Sequence, residues 1–143
     1  MNGIKKSPWL CNFDCGGCNG CILEIVAALT PRYDIERFGC LLKSSARHGD
    51  ILLVSGLVNN QNKERLRTIY NQMAKDKVVV AIGSCAITGG PFKDCYNFAG
   101  PVDKLIPVSI YVPGCPPRPE AIIDALIKLL RSLNEKNKTS VKK

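Results

Sequence analysis

Three short stretches of this chain are apolar almost from end to end. Asp50-Ile51-Leu52-Leu53-Val54-Ser55-Gly56 and Val78-Val79-Val80-Ala81-Ile82-Gly83 each close on a glycine, and Pro107-Val108-Ser109-Ile110-Tyr111-Val112 breaks at Pro113-Gly114. A strand with one wet face alternates apolar and polar side chains, so a run without that alternation belongs to a sheet covered on both faces. Between the first two runs, Asn62 to Lys75 sets Leu66, Ile69, Tyr70 and Met73 on one stripe of an otherwise charged helix. A second such helix opens at Pro119 and carries Ile122, Ala125, Leu126, Leu129 and Leu133. Near the N-terminus, the extended run Trp9 to Phe13 leads through a loop rich in glycine and cysteine. Helical spacing follows at Ile22, Ile25, Val26 and Leu29, and Thr30-Pro31 stops it. Strands alternating with helices, and apolar throughout, predict an α/β fold: a parallel sheet with helices on both faces.

A length of 143 residues suits one domain, expected over 1–133, followed by a basic, flexible tail over 134–143. With 45% apolar and 22% charged residues the composition is that of a globular protein and argues against disorder or a coiled coil. The longest apolar stretch, around Cys21 to Leu29, is interrupted by Glu24 and falls short of the ~20 residues of a membrane span. The residues at the N-terminus lack the apolar core of a secretory signal, so a reducing, cytosolic compartment is expected. The formal charge is +8, but much of the excess is terminal: Lys128, Arg131, Lys136, Lys138, Lys142 and Lys143 stand against the single acid Glu135. That pattern reads as a solvated or membrane-facing tail. No helix-turn-helix or RNA-binding signature accompanies it, and nucleic acid is not the expected partner.

Eight cysteines in 143 residues are too few for a disulfide scaffold and many for a cytosolic chain, which points to metal or redox chemistry. Cys18 and Cys21 follow the first strand, Cys85 follows Val78 to Ile82, and Cys115 follows Pro107 to Val112. All four therefore fall beyond the carboxyl ends of predicted parallel strands, the edge where open α/β sheets bind ligands. Four thiolates suit zinc or an iron-sulfur cluster. Structural zinc sites commonly join two short C-x-x-C knuckles, whereas here one such pair is completed by two isolated cysteines. Gly20, Gly83, Gly89, Gly90 and Gly114 crowd the same loops and let backbone N–H groups approach a sulfide cage, which favours the cluster.

Of the other cysteines, Cys11 and Cys40 read as small buried hydrophobes. Cys15 is a rival for the first ligand position, and Cys95 lies near the site in sequence without a clear role. Glu24, three residues beyond Cys21, is either a first-turn acid favoured by the helix dipole or a proton-handling carboxylate beside the redox site. His48, ahead of a strand at its amino end, is structural. Arg118 follows Cys115-Pro116-Pro117 and is either an exposed helix-start arginine or a partner for negative charge at the site.

The motifs GGCNGCILEI (Gly16 to Ile25), PRYDIERFG (Pro31 to Gly39), DILLVSG (Asp50 to Gly56), AIGSCAITGG (Ala81 to Gly90) and YVPGCPPRPEA (Tyr111 to Ala121) together resemble a known family. It is that of the small electron-transfer subunit of membrane-bound, energy-converting nickel-iron hydrogenases, homologous to the 20 kDa subunit of respiratory NADH:quinone oxidoreductase. The resemblance runs from Pro8 to Leu133. It implies a flavodoxin-like fold and one 4Fe-4S cluster held at the carboxyl ends of the strands by Cys18, Cys21, Cys85 and Cys115. The spacing Cys18-Asn19-Gly20-Cys21 is hydrogenase-like, whereas the quinone-reducing branch has adjacent cysteines there. The chain stops soon after the Cys115 helix, leaving no room for the further cluster domain of soluble and periplasmic hydrogenases. Cys11 and Cys15 fall outside the pattern.

The function so implied is electron transfer, with no complete active site in this chain, between a ferredoxin-like multi-cluster subunit and the nickel-iron site of a partner large subunit. Membrane subunits complete the complex, and this chain is expected as a peripheral subunit at the cytoplasmic face of the membrane. A quinone-, sulfur- or formate-linked complex of the same superfamily is the alternative. From another class, a zinc-stabilised nucleic-acid-binding module would use the net charge, and it would be colourless where an iron-sulfur protein absorbs visible light.

Overall fold

The computed structural model describes residues 7–140, with the side chains of 134–140 left aside. Five strands form one sheet: β1 (Trp9–Asp14), β2 (Leu41–Leu42), β3 (Ile51–Ser55), β4 (Val78–Ile82) and β5 (Ile110–Val112), in the order β2-β1-β3-β4-β5. Every pairing is parallel, with Leu10 opposite Ile51, Ile51 opposite Val78, and Val80 opposite Ile110. The helices are α1 (Gly20–Leu29), α2 (Lys63–Gln72), α3 (Ser84–Thr88) and α4 (Pro119–Ser140). This strand order is that of the flavodoxin-like doubly wound sheet.

The apolar runs are divided between the two faces of the sheet by the period of a strand. Leu10, Ile51, Leu53, Val78, Val80 and Ile82 point to the face where Ile25 of α1 and Ile122, Leu126 and Leu129 of α4 pack. Cys11, Leu52, Val54, Val79 and Ala81 point to the other, against Leu66 of α2, Ala86 of α3, Val102 and Ile106. Every residue of β3 and β4 is buried, as expected of strands lined on both sides.

Element boundaries follow local chemistry. Helix α1 ends where Thr30 turns extended ahead of Pro31, and both its N–H and its hydroxyl bond the Ala27 carbonyl. Helix α2 is shorter than the stripe predicts, because Met73 leaves the helix at ψ 161° while its side chain stays buried. Strand β5 is shorter than Pro107 to Val112, since Pro107 has no N–H for the ladder and the first cross-bond comes from Ser109 N–H to Val79 O, 2.9 Å. Helix α4 continues to Ser140, into the stretch expected as a tail, and residues 141–143 lie outside the described residues.

Candidate functional site: a four-cysteine crevice

Strands β1 and β3 are neighbours whose following helices pack on opposite faces, so the chain diverges at their carboxyl ends and leaves a crevice there. A pocket holding about 360 Å³ of free space, part of it open to solvent, occupies this edge, and Cys18, Cys21, Cys85 and Cys115 all line it. Cys18 and Cys115 are exposed, Cys21 and Cys85 half-buried.

Three loops deliver them. After β1 the chain turns at Asn19, in the left-handed region with φ 66°, and starts α1 at Gly20, which puts Cys21 at the mouth of the helix. After β4, Gly83 takes φ 87° and ψ 156°, and α3 carries Cys85. The loop after β5 is tied to this one: Ser84 donates from its N–H (2.8 Å) and its hydroxyl (3.1 Å) to the Gly114 carbonyl. Gly83 N–H bonds Val112 O at 2.9 Å. Cys85 and Cys115 are thereby held in register. At Gly83 a Cβ would stand 2.5 Å from Cys21 Sγ, so only glycine leaves room for that thiol.

The four sulfurs feel one another. The Cys21 thiol is pushed up to about 11, first by burial and then by Cys85, Cys18, Cys115 and Asp14. Cys85 is raised by burial, then by Cys115, Cys18 and Asp14. Four thiolates in one crevice therefore need compensating positive charge, and a bound metal deprotonates a coordinating thiol outright. Among the described residues no group of three or more His, Cys, Asp or Glu side chains could hold a single metal ion. Four cysteines from three loops line one pocket, and that donor set is of the kind an iron-sulfur cluster takes, one thiolate at each iron.

The remaining sequence candidates separate cleanly. Cys15 is fully buried in the core with Val54 and Val58, and burial followed by the Asp14 charge pushes it up to about 12. It lies outside the pocket lining, as do Cys11 and Cys40, both buried in the core. Cys95 is exposed and also outside the lining. Glu24 sits half-buried on α1, beyond its first turn, so the helix-dipole explanation for it does not hold; it does not line the pocket. Arg118 is exposed and outside the lining. His48 stands at the amino end of β3, its ring edge-on to Trp9 with centroids 6.1 Å apart. Sequence reasoning assigned no role to Asp14, Ser55 or Ser84. Asp14 and Ser84 line the pocket, and Ser55 holds Asp14; the available signal was a polar residue closing a strand at the edge where the cysteines gather.

Fold and site together define a doubly wound α/β protein with a four-cysteine crevice at the carboxyl edge of its sheet. Residues 18–129 match the family model described as NADH ubiquinone oxidoreductase, 20 Kd subunit. The chain belongs to that family, whose members are subunits of oxidoreductase complexes. It is 51% identical over 130 residues to a probable membrane-bound hydrogenase subunit, mbhJ, of Pyrococcus furiosus, covering 91% of this chain and 78% of the relative. It is 42% identical over 128 residues to an NADH-quinone oxidoreductase subunit of Symbiobacterium thermophilum, covering 89% and 69%. Among solved structures, a chain of the membrane-bound sulfane sulfur reductase, an archaeal respiratory membrane complex, superposes with a TM-score of 0.78 at 41% identity, covering 89% of this chain and 70% of that one. No helix among the described residues is long and apolar enough to cross a membrane.

Proposed function

We propose that this chain is the electron-transfer subunit of a membrane-bound hydrogenase, a peripheral subunit on the cytoplasmic face, with Cys18, Cys21, Cys85 and Cys115 as the ligands of one 4Fe-4S cluster. The observation that carries the proposal is the convergence of those four thiols, from three separate loops, on one pocket at the carboxyl edge of the sheet. When bound, such a cluster supplies single-electron transfer between ferredoxin-type centres and a nickel-iron site in a partner large subunit. The chain's own part is placement. The Ser84–Gly114 bonds fix Cys85 against Cys115, and Gly83 keeps the space over Cys21 clear. Cys18 and Cys115 reach the surface, where a partner can approach closely. Leu23 (67% exposed), two residues after Cys21, offers part of an apolar rim for such a partner. Glu24, one helical turn beyond Cys21, is proposed to handle protons beside this site.

The likeness to a sulfane sulfur reductase chain supports a second reading, in which the same cluster serves a sulfur-reducing complex. Nickel analysis of the intact complex, purified through this chain, separates the two. Nickel in proportion to the chain is the expected result, and a nickel-free, active complex would move the function to the sulfur or quinone branch.

A further inference from the structure

Ser55 is the buried polar residue at the end of an otherwise apolar strand, with no exposed surface. A buried hydroxyl needs a partner, and Ser55 Oγ donates to Asp14 Oδ1 at 2.9 Å. The other carboxylate oxygen, Asp14 Oδ2, accepts the Gly16 N–H at 3.3 Å. Gly56, at φ 78°, closes over the same carboxylate: a Cβ there would meet Asp14 Oδ1 at 2.5 Å and the Gly16 backbone at 3.0 Å. Asp14 thus sits where the loops after β1 and β3 press together, and it is the one acid among the described residues that line the four-cysteine pocket.

We propose that Asp14 is a positioning residue and a fixed negative charge for the redox site, gripping the Cys18–Cys21 loop against the end of β3 and lowering the reduction potential of the cluster those cysteines bind. The inference rests on the cluster reading above. Its electrostatic half rests on position, since Asp14 lines the same pocket as Cys18, Cys21, Cys85 and Cys115 and is fixed there by Ser55 and the Gly16 N–H. A fixed negative charge in the lining of that pocket opposes an electron added to a group bound there. The Ser55 hydroxyl directs its positive end at the carboxylate and offsets part of that charge.

The test is a potentiometric titration followed by electron paramagnetic resonance on the full-length chain, purified anaerobically with the subunits that accompany it. Asp14→Asn keeps the shape and removes the charge. It should retain iron and sulfide and shift the reduced-to-oxidised ratio at fixed potential about tenfold toward reduced, ~59 mV for one electron. Ser55→Ala keeps the charge and removes its offset, so the potential should move in the opposite direction by a smaller amount. Loosening of the loop alone would not give shifts of opposite sign. Unchanged potentials, or shifts of one sign, overturn the inference. Should Asp14→Asn lose the cluster, Ser55→Ala decides: a lowered potential supports the inference, and an unchanged or raised one overturns it. A wild-type chain with no cluster signal overturns the cluster reading itself and this inference with it.

Discussion

Replacing Gly83 with alanine should empty the site while leaving the fold standing. Two costs follow from the geometry. At φ 87° and ψ 156° the backbone occupies a region essentially restricted to glycine, and placing any other residue there costs about 1–3 kcal/mol. The new Cβ would also stand 2.5 Å from Cys21 Sγ. Ordinary contact between such atoms begins near 3.5 Å, so the sulfur must retreat by roughly 1 Å. Metal sites tolerate ligand displacements of about 0.2 Å, several times less. Gly83→Ala should therefore lose most of its bound iron, and its apo form should be about 1–3 kcal/mol less stable in a denaturant titration. Gly20→Ala is the matched control. Its Cβ would stand 3.4 Å from Cys18 Sγ without a positive φ to strain, so its iron content should stay near wild type. A Gly83→Ala chain with full iron and native stability would refute the account of how Cys21 is placed.

Glu24→Gln should retain cluster and assembly yet slow coupled turnover several-fold, since it preserves shape and removes the exchangeable proton; unchanged rates across the pH range would show that Glu24 is not a proton-handling group. Alkaline solution should destabilise the apo chain. From an ordinary value of 9.0, burial, with Asp14's charge as a second cause at Cys15, pushes Cys15 up to about 12, and burial alone pushes Cys40 up to about 11. Between those limits the unfolded chain releases thiol protons that the folded chain keeps, so stability falls as pH rises above 9. Denaturation midpoints measured at pH 8 and pH 10 check this, and the Cys40→Ala chain should show a smaller loss.

Strands β3 and β4 were legible because burial on both faces leaves an unbroken apolar run that no surface helix of similar length would show. Once they were placed, the carboxyl-edge position of Cys85 followed, and with it the gathering of four cysteines at one edge. Strand β2 was not legible: Leu41 and Leu42 pair with Trp9 and Leu10 at the sheet margin, and two residues carry no period. The five-residue α3 was hidden for a similar reason, since it is held by loop hydrogen bonds and glycine turns instead of an apolar stripe. Cys15 and Cys18 are equally close to the glycines in sequence. Only the strand end decides between them, because Cys15 still bonds Ser55 O beside the sheet and points into the core, whereas Cys18 lies past the turn. The Asp14–Ser55 bond joins residues 41 positions apart, a pairing that appears only when β1 and β3 are aligned.

The most direct test of the central claim is the iron and acid-labile sulfide content of the anaerobically purified complex, measured for single alanine variants of all eight cysteines. Replacing Cys18, Cys21, Cys85 or Cys115 should each remove the iron and sulfide of one 4Fe-4S centre, about four of each per chain. Replacing Cys11, Cys15, Cys40 or Cys95 should leave both unchanged. A Cys15→Ala complex stripped of the centre beside a Cys18→Ala complex that keeps it would contradict the assignment.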